Sequence, residues 1–202
     1  MSDEKTPDFL FRDPAAPTFW DERFEKAFMP WDRAGVPAAL RDFVERSAPM
    51  VTLIPGCGLG HEVALFASAG WDVTAIDFSA AAVRAARANL GSLAEHVMEA
   101  DFFSFEPPHR PQLIYERAFL CALAPALRTA IVERWAALLP PGGLLAGYFF
   151  FGETMRGPPF GIGAAQLETL LQPHFARIED AEVQDSIPVF IGKERWQVWR
   201  RR

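Results

Sequence analysis

Three glycines at alternate positions, Gly56, Gly58 and Gly60, close the apolar run Val51-Thr52-Leu53-Ile54 and stand directly before a helical pattern. Glycine carries no Cβ, so backbone N–H groups in such a turn can approach a small ligand closely. Tight strand-to-helix turns also use glycine for steric reasons alone, and the motif gains weight from Asp77. That acid ends the next apolar run, Val73-Thr74-Ala75-Ile76, where doubly wound folds hold a ribose through its hydroxyls. Together the two features point to an adenosine-containing cofactor. The spacing GxGxG is one residue short of the GxGxxG that seats a pyrophosphate on a helix N-terminus. A cofactor without phosphates fits better, and S-adenosylmethionine is the common one.

Other polar residues fall where a parallel sheet binds ligands, at the carboxyl edge of its strands. Asp101 could accept from an exocyclic amine while Phe102 stacks on a purine; the alternative is that Asp101 only begins a turn, and Phe103 is assigned to packing. Glu116 and Arg117 stand just past a strand and form either a charged pair that orients the carboxylate and amino groups of a cofactor or a surface ion pair of little worth. Trp20 and Trp31 flank a helix ahead of the sheet and could form a lid, whereas Phe19, Phe24 and Phe28 at helical spacing read as core. His61, His96, His109 and His174 lie in no metal-ligand or triad pattern, and His61 reads as a helix-end residue. Cys57 and Cys121 make neither a disulfide framework nor a metal site, and Cys121 reads as a small core hydrophobe.

The elements that must position these residues alternate strand and helix from Met50 onward, the pattern of a parallel sheet covered on both faces. Strands are predicted at Val51–Ile54, Trp71–Ile76, His96–Glu99, Gln112–Tyr115 and Leu144–Phe151, the last apolar throughout as a doubly covered strand should be. Helices are predicted at Leu59–Ala69 with Gly70 as C-terminal cap, from Ser79 as N-cap to Leu90, at Pro125–Leu139 and at Ala164–Leu171. Two segments, Phe175–Gln184 and Lys193–Arg200, follow as an antiparallel hairpin, separated by a turn region with Pro188 and Gly192. Before the sheet, residues 1–17 read as an extended arm. Thr18-Phe19-Trp20-Asp21 looks like a capping box opening a helix to about Phe28, and a second helix follows Pro37. The fold expected is α/β, a three-layer Rossmann-like sheet of seven strands, mostly parallel, under an N-terminal helical lid. A single domain would span residues 1–202, with arm and lid over 1–48 and core over 49–202.

A chain of 202 residues can bury a core without staples. The start, Met1-Ser2-Asp3-Glu4-Lys5, lacks the order of a signal peptide, and no apolar run reaches membrane-spanning length, so a soluble cytoplasmic protein is expected. A net charge of −6 argues against a nucleic-acid substrate; Arg200-Arg201-Arg202 is read as a solvated tail.

With these pieces collected, the chain resembles the thiopurine and thiocyanate (thiol and halide) S-methyltransferase family, class I enzymes dependent on S-adenosylmethionine. The resemblance rests on Phe19-Trp20-Asp21-Glu22-Arg23-Phe24 with Pro30-Trp31-Asp32, on Ile54-Pro55-Gly56-Cys57-Gly58-Leu59-Gly60, and on Asp77-Phe78-Ser79 and Asp101-Phe102-Phe103. It continues through Tyr115 to Pro125 with Arg128, and Gly157-Pro158-Pro159-Phe160. It implies that Trp20 and Trp31 cover the cofactor, that Gly56 lies under its amino-acid end, that Asp77 takes the ribose and that Asp101 and Phe102 meet the adenine. The expected cofactor-binding set is Trp20, Trp31, Gly56, Gly58, Gly60, Asp77, Phe78, Asp101, Phe102 and Arg117, with no metal and no dedicated catalytic residue. Arg117 matches the thiopurine branch, Phe24 replaces a tryptophan of the thiocyanate and halide branch, and Gly157-Pro158-Pro159-Phe160 looks like that second branch, so the acceptor follows from neither.

The implied reaction is in-line displacement at a sulfonium methyl, moving it to a small soft nucleophile: a thiol, thiopurine, thiocyanate, halide or metalloid oxyanion. Such an acceptor needs no general base, which suits the lack of a placed histidine. The partner expected is a small-molecule methyl acceptor, not nucleic acid or membrane, and the chain is expected as a monomer or weak homodimer. Rival readings are methylation of another small metabolite, a nicotinamide oxidoreductase and a noncatalytic cofactor-binding module.

Overall fold

The computed structural model describes residues 7–32, 34–152, 154 and 157–202. Expectations resting on Met1–Lys5, on Arg33 and on Glu153, Met155 and Arg156 of the loop after Phe151 lie outside the described residues. Seven strands form one sheet: β1 Val51–Pro55, β2 Asp72–Asp77, β3 Val97–Glu99, β4 Leu113–Arg117, β5 Leu144–Phe150, β6 Phe175–Glu182 and β7 Glu194–Arg201. Their order is β3-β2-β1-β4-β5-β7-β6. The first five pair in parallel, and β7 lies antiparallel between β5 and β6. The inner place goes to β7 because Trp196, Val198 and Trp199 are buried, while β6 is largely exposed beyond Phe175 and takes the edge, where charged residues are tolerated.

Strand β5 shows why an apolar run suits a covered strand. Ala146 and Tyr148 point to one face, into a core with Leu40, Phe43, Phe66 and Val83; Leu145 and Phe149 point to the other, against Ile131, Trp135, Leu167 and Leu171. Helices α2 (Ala38–Arg46), α3 (His61–Ser68) and α4 (Ala80–Leu90) cover the first face, and α5 (Arg128–Leu138) and α6 (Ala164–Leu171) the second. Trp135 is fully buried, so truncating it to Ala would cost about 3–5 kcal/mol. Between the faces Gly147 admits the neighbouring strand: a Cβ there would stand 1.8 Å from the Glu116 carbonyl oxygen.

Several helix ends form as the sequence suggests. The Ser79 hydroxyl accepts from Ala82 N at 3.1 Å and caps α4, and Gly70, at φ +77, closes α3 while Trp71 N donates to Phe66 O. The amino-terminal helix α1 (Pro17–Glu25) corrects the reading there. It ends at Glu25, not Phe28, and starts with Pro17 after an Ala16 that makes no side-chain cap. No capping box forms, because Asp21 accepts instead from Ser79 Oγ at 2.7 Å and Ala81 N at 2.9 Å, bolting α1 onto the start of α4.

The arm before α1 is fastened as well. Leu10 N and Phe11 N donate to the Glu22 carboxylate, and the Arg23 guanidinium lies 4.3 Å and 3.2 Å from the ring centroids of Phe9 and Phe19. At the other end the solvated tail is also corrected. Arg201 belongs to β7, and its guanidinium donates to Ala136 O and His174 O; Arg202 donates to Gln172 O and Phe175 O. No described helix is long and apolar enough to cross a membrane.

Candidate active site

The strand order reverses between β1 and β4, and a cavity of about 680 Å³ opens at the carboxyl edge there, a volume suited to a cofactor with a small second ligand. Its floor is the turn after β1. Gly56, at φ +63, has no room for a side chain, since a Cβ would meet the Phe119 ring at 2.8 Å, and Gly58, at φ +53, donates its N–H to Asp77 Oδ2 at 3.1 Å. Gly60 departs from its two neighbours. It faces α4, where a Cβ would press on Leu90 Cδ1 at 3.0 Å, and it does not line the cavity, so its role here is close packing.

Asp77, the last residue of β2, is buried at the cavity wall beside Phe78 and accepts from Ser79 N at 3.0 Å as well as from Gly58 N. Burial pushes its pKa up to about 6, against the pull of those two N–H donors. The carboxylate therefore fixes the glycine turn while lining the cavity. Past β3, Asp101 Oδ1 accepts from Phe103 N at 3.0 Å, so Asp101 does begin a turn while also lining the cavity. Phe102 is buried with its ring 5.0 Å from that of Phe119. Phe103, assigned to packing, is instead 37% exposed and stands at the cavity rim.

Strand β4 runs on through Glu116 and Arg117, which corrects their placement past its end. Successive strand residues point to opposite faces, so the two cannot pair with each other. Glu116 turns toward the α5 side, where its Oε1 accepts from Phe119 N at 3.1 Å and Leu120 N at 2.9 Å and holds the loop after β4. Complete burial raises its pKa to about 8. Arg117 turns toward α3 and donates to Glu62 Oε1 at 2.8 Å, with side-chain exposures of 16% and 11%. This is a largely buried pair inside the cavity, not a surface one. Burial disfavours the Arg117 charge, but Tyr115 and Glu62 more than offset it and raise its pKa. Glu62 was missed in the sequence because a glutamate in a first helical turn already has a reason to be there.

The roof is aromatic. Trp20 and Trp31 meet edge to face at 5.4 Å, Phe24 stands 6.1 Å from Trp31, and Trp20 Nε1 donates to Pro14 O at 2.9 Å. Phe24, read as core, is half-buried and lines the cavity with them, as does Phe28; Phe19 is buried as expected. His61 is more than a helix end: its Nε2 lies 3.0 Å from Asp32 Oδ1 and ties the Trp31 loop to α3. His96 and His109 bond Val73 O and Asp72 away from the cavity.

The wall opposite the glycine turn is built from Cys121, Ala122, Leu127, Pro158, Pro159, Val189 and Phe190. Arg128 Nη2 fastens it, donating to Phe160 O at 3.2 Å and Gly161 O at 2.7 Å, and Phe160 N donates to Cys121 O at 2.7 Å. Burial raises the pKa of both Cys57 and Cys121, which keeps them neutral thiols. Val189 and Phe190 carried no signal in the sequence beyond a turn between two strands.

The model of the family described as thiopurine S-methyltransferase matches residues 15–202. Thiocyanate methyltransferase 1 of Arabidopsis thaliana is 30% identical over 190 residues, covering 90% of this chain and 84% of that protein. A thiopurine S-methyltransferase of Shewanella denitrificans is 27% identical over 202 residues, with 88% and 93% covered. Among solved structures, 1,6-didemethyltoxoflavin-N1-methyltransferase of Burkholderia thailandensis, with S-adenosylhomocysteine bound, superposes with a TM-score of 0.74 over 96% of this chain and 93% of that one at 17% identity. Magnesium protoporphyrin IX methyltransferase of Synechocystis, with S-adenosylmethionine bound, gives 0.71 over 96% and 100% at 13% identity. At those identities the two structures speak for the fold.

Proposed function

We propose, from the premise that this chain belongs to the thiopurine S-methyltransferase family and is an S-adenosylmethionine-dependent methyltransferase, that its acceptor is a small soft nucleophile: a thiol, thiopurine, thiocyanate, halide or metalloid oxyanion. The observation that carries the acceptor class is the far wall. It is apolar, and the thiol in it is neutral. An acceptor that is already an anion, or that has a polarisable lone pair, needs no proton removed there.

The cavity residues fit the cofactor. The Gly56 turn presents bare backbone on the cavity floor, Asp77 lines the cavity at the end of β2, and Phe102 offers an aromatic surface past β3. In the reading we favour, Trp20 and Trp31 roof the cofactor, Gly56 and Gly58 lie beneath its amino-acid end, Asp77 and Phe78 flank the ribose, Asp101 and Phe102 meet the adenine, and Arg117 faces the amino-acid end. When bound, the cofactor supplies a methyl group on a positively charged sulfur, which makes the thioether a good leaving group. The chain then has to hold the acceptor in line and keep water out. Orientation of this kind supplies about 7–11 kcal/mol. The aromatic roof and the proline-lined wall perform both tasks. Net charge and the size of the cavity favour a small acceptor over nucleic acid, and we expect a cytoplasmic monomer or weak homodimer.

Incubation with methyl-labelled S-adenosylmethionine and a panel of aromatic thiols, thiocyanate, iodide, selenite and thiopurines tests this. Label is expected in at least one of them, with a rate flat in pH once the acceptor is ionised. No transfer to any, or faster transfer to an amine or alcohol that must lose a proton, would overturn the acceptor class.

A further inference from the structure

An oppositely charged pair buried in a ligand cavity needs an explanation. Withdrawing two charges from water costs more than their attraction usually returns, so such a pair is weak support for stability. Glu62 and Arg117 come from different elements, the first turn of α3 and the last residue of β4, and meet at 2.8 Å on the cavity lining. Arg117 spends Nη1 and Glu62 spends Oε1 on this contact. One carboxylate oxygen and the remaining guanidinium N–H groups are left for other partners. The other charges around the cavity have partners of their own among the described residues: Asp77 the Gly58 and Ser79 N–H groups, Asp101 the Phe103 N–H, Asp32 His61, Arg23 Phe19 O at 2.7 Å, and Arg12 the exposed Asp8. Glu116 is on the far face of the sheet and holds the loop after β4.

A carboxylate and a guanidinium side by side, each with capacity to spare, complement a ligand group that carries an ammonium and a carboxylate on one carbon. We propose that Glu62 is a binding residue for the α-amino group at the amino-acid end of the methyl donor, and that it works as one unit with Arg117, which takes the α-carboxylate. This rests on reading the cavity as the S-adenosylmethionine site. The ion pair stays intact, and the ligand's zwitterion lies against it head to tail, so four charges alternate in sign and none is stranded.

The experiment compares equilibrium binding by calorimetry of two ligands, S-adenosylhomocysteine and 5′-methylthioadenosine, which shares the nucleoside but lacks the amino-acid end. Glu62→Gln should weaken S-adenosylhomocysteine about tenfold or more, the scale of a lost charge-assisted hydrogen bond, and leave 5′-methylthioadenosine within about twofold. An unchanged affinity for S-adenosylhomocysteine, or an equal loss for both ligands, would overturn the assignment. So would a variant that raises the acceptor KM alone. Should Glu62→Gln not fold, the wild-type chain decides: it should bind S-adenosylhomocysteine about tenfold more tightly than the analogue in which the amine is replaced by hydrogen, and equal binding refutes the role of Glu62. A wild-type chain that binds neither nucleoside brings down the cofactor reading itself, and that result is distinct from a failure at Glu62 alone.

Discussion

The two sides of the cavity are built by different means. The side under β1, β2 and β3 is backbone at the carboxyl ends of adjacent strands: a glycine turn pinned to Asp77, an Asp101 turn and a capped α4. The opposite side is assembled from segments far apart in the chain, the loop after β4, the Pro158-Pro159 stretch and the Val189-Phe190 turn, fastened by Arg128. The first kind of wall suits a ligand common to many enzymes. The second can change its lining without disturbing the sheet, and it is the wall to which our proposal assigns acceptor choice.

Variants on the two sides should therefore separate. The largest effect is expected from Asp77→Ala, which removes the proposed ribose partner and orphans the Gly58 and Ser79 N–H groups: a loss of about 100-fold or more in S-adenosylhomocysteine affinity by calorimetry. Retained affinity would dissolve the contrast. Glu116→Gln tests the loop between the two sides. The folded-state pKa of Glu116 is about 8 against an ordinary 4.5, so the stability gained from its protonation is complete below about 4.5 and is lost as pH rises through about 8. Wild-type thermal stability should fall from pH about 6 to about 9 by an amount on the order of 1–3 kcal/mol, and Glu116→Gln should lack that component. A parallel decline in both proteins would show that Glu116 does not titrate over that range.

On the opposite side, Arg128→Ala releases the Phe160 and Gly161 carbonyls and should raise the acceptor KM about tenfold while S-adenosylhomocysteine affinity stays within about twofold. An equal loss of both would mean the walls are not independent. The smallest effect belongs to His61→Ala, which unties the Trp31 loop. Dissociation of S-adenosylhomocysteine in stopped flow should speed up about threefold, the worth of one partly exposed contact.

The same contrast explains what could be read from the chain. Strands, the Ser79 cap and the Gly70 stop depend on neighbours within a few residues, and local pattern reveals those; Gly56, Gly58 and Asp77 were legible because each closes an apolar run, although the bond between Gly58 and Asp77 spans 19 residues. Asp21 was misread because its partners lie 58 and 60 residues away, so a local capping pattern was only a coincidence of spacing. Glu116 and Arg117 looked like a pair until the strand was found to extend through both and send them to opposite faces. Glu62 and the Asp32–His61 tie need the fold before either partner is visible, and the arginines at the carboxyl end looked like a tail because their carbonyl partners sit on other elements. The far wall was not legible as a wall: Pro158-Pro159 entered only through the family resemblance, and Val189-Phe190 only as part of a turn between two strands.

The Asp21 bolt has a practical consequence for anyone who shortens the amino terminus to widen the entrance. Deleting the first thirty or so residues would take away the carboxylate that Ser79 Oγ and Ala81 N donate to, at the helix start immediately beyond Asp77. Such a deletion would loosen the nucleoside side from behind, so the trimmed protein would lose its methyl donor before it gained a roomier door for the acceptor.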